Sequence, residues 1–144
     1  MLNFGVIGYG YWGPNIVRNL KGLEGCHLAG ICDQSPAARN RIHAAYPDTP
    51  VYSDSRELIC SPDTDAIAVI TPVWTHYELT KAALENGKHV FVEKPFTANV
   101  KQAEELITTL SLISHMLEIG ENAGSPFAPR RKQGPRQKSS FRYI

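Results

Sequence analysis

Gly8-Tyr9-Gly10-Tyr11-Trp12-Gly13, entered directly from the apolar run Leu2 to Ile7, is the stretch whose reading decides the fold of this 144-residue chain. It fits G-x-G-x-x-G, a spacing in which each glycine has a separate task. Gly8 permits the tight turn out of a strand, Gly10 lets the backbone approach a pyrophosphate, and Gly13 lets the next helix lie close to the sheet. Pro14 stands where a first helical residue belongs, with φ already set and no N–H to lose. The free amides of that helix, at its partially positive end, then face an anion. Tyr9, Tyr11 and Trp12 join the cofactor loop through their backbone. Asp33 lies 20 residues beyond Gly13, at the end of a second strand-like run. A carboxylate there accepts hydrogen bonds from the adenosine ribose, and its charge repels a 2′-phosphate, so NAD is expected in preference to NADP.

Outward from this loop, apolar runs alternate with helical patterns. Strands are expected over residues 2–7, 26–32, 51–52, 66–70 and 89–92. Helices are expected over 14–21, from Ser35-Pro36 to about Ala45, over 53–59, from His76 to Glu85, and from about Asn99. Ser35-Pro36 is an N-cap followed by a first-turn proline, and Asn86-Gly87 supplies a left-handed stop. Ala66-Ile67-Ala68-Val69-Ile70 is apolar throughout, as a strand covered on both faces must be. Strands separated by crossover helices imply an α/β fold, a Rossmann-type doubly wound parallel sheet with ligands at the carboxyl ends of its strands.

Composition narrows the function classes. Hydrophobic content of 42% and charged content of 20% are those of an ordinary globular domain. No apolar run reaches the length of a membrane span, and the N-terminus enters a strand at once, so the expected location is the cytoplasm. Cys26, Cys32 and Cys60 form no C-x-x-C pair and no metal-ligand spacing. They read as small buried hydrophobes of a reducing compartment, and no metal is assigned. The formal net charge of +1 conceals an asymmetry. Six basic residues and no acids lie between Ser125 and Ile144, in sequence rich in Pro, Gly, Ser and Gln. That segment reads as a disordered, solvated tail, without the spacing or aromatic platform of a nucleic-acid recognition module.

Two further strands deliver residues to the crevice that the glycine loop opens. Thr71-Pro72-Val73-Trp74-Thr75-His76 follows Ile70, and Glu93-Lys94-Pro95 follows Val92. The segments GVIGYGYWGPNIVRNL and AVITPVWTHYELTKAALENGKHVFVEKPF, with Asp33, resemble the N-terminal domain of the Gfo/Idh/MocA oxidoreductases, from Leu2 to about Ile107. That resemblance implies hydride transfer between NAD(P) and the carbinol carbon of a sugar, sugar nucleotide or polyol such as inositol. It also implies that Thr71, Pro72 and His76 line the cofactor and that Glu93, Lys94 and Pro95 form the family's E-K-P motif. Lys94 is then implicated in catalysis, near the nicotinamide and the substrate hydroxyl.

The residues themselves leave several of these roles open. Loss of hydride from a carbinol carbon requires loss of the hydroxyl proton, which an amine can take. Free lysine, with a pKa of about 10.4, is a poor base at neutral pH unless burial or a positive neighbour lowers that value. In a strand continuation Glu93 and Lys94 point to opposite faces, which makes Glu93 a cofactor or structural contact. Asp33 could instead cap the turn before Ser35-Pro36. His76 could be an ordinary first-turn helix residue. Trp12 and Trp74 could flank the cofactor or pack into a core.

The resemblance stops after the helix containing Ala103 to Ile107. We expect a dinucleotide-binding domain over residues 1–110, a helical extension over 111–124 that ends in Gly120-Glu121-Asn122-Ala123-Gly124, and the basic tail over 125–144. The substrate domain that the resemblance implies is missing from this sequence, so the expectation is a truncated or frame-shifted oxidoreductase. Its turnover would depend on a second domain that supplies the sugar or polyol site, and its uncovered surface would favour self-association. A non-catalytic dinucleotide-binding module is the competing reading, and a methyltransferase-like nucleoside binder is a third that leaves Glu93-Lys94-Pro95 unexplained.

Overall fold

The computed structural model describes residues 1–123, with side chains described through Ile113; the basic tail over 125–144 lies outside them. The order is β1 (Leu2–Ile7), α1 (Gly13–Gly22), β2 (Cys26–Cys32), α2 (Pro36–Ala45), β3 (Val51–Tyr52), α3 (Ser55–Ile59), β4 (Ala66–Val69), a 3₁₀ turn (Val73–Thr75), α4 (His76–Glu85), β5 (His89–Val92) and α5 (Val100–Ala123). Residues Met1–Ile113 form one compact unit. No described helix is long and apolar enough to cross a membrane.

All four strand pairings are parallel, in the order β3-β2-β1-β4-β5. The period-two alternation of each strand then feeds two cores. Val6, Ile31, Ala68 and Ile70 pack with Val17 of α1 and Ala38 and Ile42 of α2. Ile7, Cys32, Ile67 and Val69 pack with Leu58 and Ile59 of α3 and Ala83 of α4. Helices on both faces explain why β4 has no exposed residue and why its sequence carries no polar alternation. Side chains such as Ile67 and Val69, fully removed from water, each contribute about 1.5–3 kcal/mol of apolar burial.

The local signals act as their chemistry dictates. Ser35 Oγ accepts from Ala38 N–H at the start of α2, and Gly87 ends α4 at φ +70°. Asp54 caps α3 by accepting from Arg56 N–H at 2.9 Å, so that helix begins at Ser55 rather than Ser53. Asn99 Oδ1 accepts from Gln102 N–H at the start of α5. That helix continues to Ala123, the last described residue. One expectation fails outright: Cys32 is buried, but Cys26 is only half-buried and Cys60 is exposed.

Candidate dinucleotide-binding site

The strand order reverses between β1, which continues to β2, and β4, which continues to β5. Chains leaving β1 and β4 at their carboxyl ends diverge to opposite faces and leave a crevice there. A cavity of about 590 Å³ occupies it, lined from β1 and its turn by Ile7, Gly8 and Gly10. The end of β2 adds Cys32, Asp33 and Gln34, α3 adds Ser55, and the chain after β4 adds Ile70, Thr71, Pro72, Trp74, Thr75, Glu78 and Leu79.

Packing requires two of the three glycines, for different reasons. Gly8 has φ +102°, and a Cβ there would stand 2.5 Å from the Ile70 carbonyl oxygen. A Cβ on Gly13 would stand 2.7 Å from the Gly8 carbonyl oxygen, so its absence lets α1 close on the turn. Gly10 differs from both. Its φ is not positive, and a Cβ there would meet nothing within 4 Å. The protein's own packing therefore does not demand glycine at position 10, and open space lies where a ligand backbone-to-phosphate approach needs it.

The loop also presents unengaged donors. Among the described residues, the backbone N–H groups of Gly10, Tyr11, Trp12 and Gly13 donate to no protein acceptor. Asn15 and Ile16 N–H both turn back to the Trp12 carbonyl at 3.1 Å, and no side chain caps α1. Free amides at a helix start, with Pro14 contributing none to lose, are an anion-binding arrangement.

Asp33 caps the turn before Ser35-Pro36 and also reaches back to the glycine loop. Its Oδ2 accepts from Tyr9 N–H at 2.7 Å, which ties the glycine loop to the end of β2. Its Oδ1 accepts from Ser35 N–H at 2.8 Å, which makes the turn into α2. A carboxylate has roughly four lone-pair positions, so both oxygens keep capacity for a further donor such as a ribose hydroxyl. Arg39 of α2 holds the same turn from outside, donating to the Asp33 carbonyl at 2.9 Å and the Gln34 carbonyl at 2.8 Å. Neighbouring Cys32 is inert: burial, reinforced by the Asp33 charge, pushes its thiol up to about 11. Burial, aided by Tyr46, also raises the Tyr9 phenol above its ordinary value.

His76 is 1% exposed and does not line the cavity. Its Nε2 lies 2.7 Å from the Thr71 carbonyl and its Nδ1 lies 2.9 Å from the Pro95 carbonyl. Carbonyl oxygens only accept, so a neutral ring donates to one of them and a cationic ring to both. In either form His76 packs between the turn after β4 and the turn after β5, and the cationic ring bonds to both. Thr75 Oγ1 tightens the first of these turns through hydrogen bonds with Thr71 Oγ1 at 2.7 Å and the Pro72 carbonyl at 2.8 Å. Glu93 N–H still donates to the Val69 carbonyl at 3.0 Å, one residue beyond β5. Glu93 is half-buried, while Lys94 and Pro95, joined by a cis peptide bond, are exposed.

The crevice thus gathers Gly8, Gly10, Asp33, Thr71 and Pro72 on one cavity, with the amides of Tyr11, Trp12 and Gly13 on the adjoining loop. Glu93, Lys94 and Pro95 are not part of that cavity; His76 connects their turn to it. Sequence reasoning missed Gln34, Ser55, Glu78 and Leu79 as lining residues. Nothing in their local pattern marks them, because crossover connections bring them to the crevice.

Comparison with known proteins agrees with this geometry. The family described as "Oxidoreductase family, NAD-binding Rossmann fold" matches residues 2–120. An uncharacterized oxidoreductase, YdgJ, of Escherichia coli (strain K12) is 38% identical over 122 residues, covering 84% of this chain and 34% of its own length. An inositol 2-dehydrogenase of Rhodococcus jostii (strain RHA1) is 31% identical over 121 residues, covering 83% of this chain and 31% of its own length. The chain therefore spans about a third of the length of these curated relatives. Scyllo-inositol dehydrogenase from Lactobacillus casei, solved with bound NAD(H) and scyllo-inositol, shares the fold at TM-score 0.73 and 22% identity, over 80% of this chain and 34% of that one. With the family matched across its crevice and all five strands, this chain belongs to the Gfo/Idh/MocA oxidoreductases, through their NAD-binding Rossmann domain.

Proposed function

We propose that the crevice binds NAD, with the pyrophosphate on the amides of Gly10 to Gly13 and the adenosine ribose on Asp33. Thr71 and Pro72 line the cofactor beside Asp33, and Glu93 and Pro95, on the turn that His76 packs against, serve the nicotinamide end. The observation that carries this reading is Gly10, a glycine that the protein's own packing does not require, placed among unengaged amides. The Asp33 charge selects against a 2′-phosphate, so NAD is favoured over NADP. When bound, the nicotinamide supplies hydride exchange with a carbinol carbon, and Lys94 takes or returns the hydroxyl proton. The substrate class is a sugar, sugar nucleotide or polyol, a reading supported by the inositol 2-dehydrogenase among the relatives. We assign the cofactor domain to residues 1–110 and place the protein in the cytoplasm.

A second reading has its own support. Lys94 is exposed, and no described residue shields it from water, so this chain by itself reads as a dinucleotide-binding module whose turnover needs further walls around the lysine. Isothermal titration of the full chain with NAD and NADP tests the shared part: NAD binding that is lost more for NAD than for NADP in Asp33→Ala is expected. An equal loss for both removes Asp33 from the ribose. Assays with inositols and sugars separate the two readings. Turnover that falls in Lys94→Ala while NAD affinity holds supports the enzyme; NAD binding without turnover supports the module.

A further inference from the structure

β5 is an outer strand of the described sheet, and its edge differs from the one at the opposite end. The opposite edge, β3, is only two residues long and follows Pro50. A short strand behind a proline is a poor template for pairing. β5 has no such protection. His89-Val90-Phe91-Val92 contains no proline, lysine or carboxylate, and its register with β4 runs without a bulge. Lys88, the cation that could guard the strand, is instead held by the Ser61 and Thr64 carbonyls at 2.6 and 2.8 Å.

The backbone groups at this edge follow from the ladder on its other side. His89 N–H donates to the Asp65 carbonyl and Glu93 N–H to the Val69 carbonyl, both at 3.0 Å. Alternate residues of a strand turn their backbone groups opposite ways, so the N–H and C=O of Val90 and Val92 face outward. Among the described residues nothing pairs with them. The Val90 and Val92 side chains pack against the core beneath α3 and α4. His89, Phe91 and Glu93 therefore project from the other face, where Phe91 is 48% exposed.

We propose that this edge is a self-association surface, on which β5 pairs antiparallel with β5 of a second copy across a two-fold axis at Phe91. Two five-stranded sheets then become one. In that register Val90 exchanges N–H and C=O hydrogen bonds with Val92 of the second copy, and the symmetry repeats the exchange. The two Phe91 rings meet at the axis as an aromatic pair. Each His89 faces Glu93 of the second copy, an imidazole against a carboxylate. Moving the axis by one residue sets Phe91 against His89 or Glu93 and loses both matches. A second copy of this chain thus complements the edge in charge as well as in hydrogen bonding. Glu93 has two carboxylate oxygens, so this contact leaves it capacity at the nicotinamide end.

Sedimentation velocity of the full chain is expected to show a concentration-dependent dimer and no larger species. Phe91→Lys puts like charges at the axis, and Val90→Pro removes an outward donor while sparing the bonds to β4. Each should weaken the dimer by about tenfold or more. His89→Glu should weaken it and His89→Lys tighten it, each by up to about fivefold. Phe91 is exposed, so in dilute solution the Phe91→Lys melt should match that of the unsubstituted chain. The register has its own readout. With the exposed thiol removed by Cys60→Ser, mild oxidation should cross-link Phe91→Cys into a covalent dimer and leave His89→Cys unlinked. A monomer at all concentrations overturns the proposal, as does a dimer that persists in both Phe91→Lys and Val90→Pro. Open-ended polymers, or a cross-link at His89→Cys instead of Phe91→Cys, overturn the two-fold pairing.

Discussion

Gly8 and Gly10 stand two residues apart and answer to different masters, which makes them separable by experiment. Gly8→Ala puts a Cβ 2.5 Å from the Ile70 carbonyl oxygen at a φ of +102°, so it should lower the melting temperature and NAD binding together. Gly10→Leu meets open space, so the melt should stay close to that of the unsubstituted chain while NAD binding disappears. Unchanged NAD affinity in Gly10→Leu sinks the phosphate role. The cysteines give a second residue-scale prediction. Iodoacetamide at neutral pH should label exposed Cys60 in the folded chain and reach buried Cys32 only after unfolding, as read by peptide mass spectrometry. Because burial raises the Cys32 thiol from 9.0 to about 11, the unfolded chain ionises first between those values. Below pH 9 the thiol is protonated in both states and contributes nothing to pH dependence. Between pH 9 and 11 stability should therefore fall, and Cys32→Ala should flatten that part of the profile.

At the scale of elements, β4 is an interior strand covered on both faces and α4 the connector. Ile67 is fully buried, in register with Gly5 on β1 and Val90 on β5. Ile67→Ala should cost about 2–5 kcal/mol of stability, read as a lower denaturant midpoint at unchanged slope. His76 begins α4 but acts outside it, joining the Thr71 and Pro95 carbonyls. His76→Ala removes at least one of these hydrogen bonds, and a buried acceptor left unpaired costs about 1–3 kcal/mol. Hydrogen exchange should accelerate in both the turn after β4 and the turn after β5. Acceleration in only one of them refutes the clamp.

For the whole molecule, apolar surface is unevenly distributed. Phe91 of β5, Phe96 after it, and Val100, Ile107, Leu110 and Leu112 of α5 are all exposed, and β5 is the outer strand of the described sheet. Apolar side chains gathered on an outer strand and the helix that follows it are a common basis for association. Sedimentation velocity is expected to show concentration-dependent association that falls in Ile107→Lys/Leu110→Lys; a monomer at all concentrations contradicts it.

The element order, the parallel sheet, the glycine loop and Asp33 were legible because their signals are local. Period-two and period-3.6 patterns, a proline after a turn and an acid at a fixed offset each act within a few residues of chain, and each yields one backbone conformation. Boundaries drifted where a side-chain cap decided them, as at Asp54. What the sequence determined by itself was therefore the frame and the glycine loop. The tertiary structure alone decided which residues meet: that Asp33 binds Tyr9 and Ser35 at once, that His76 is a clamp between turns, and that Trp74 faces a cavity with Gln34 and Ser55. Those contacts depend on crossovers that carry the chain across a sheet face, and no local pattern encodes the neighbour at the far side of a crossover.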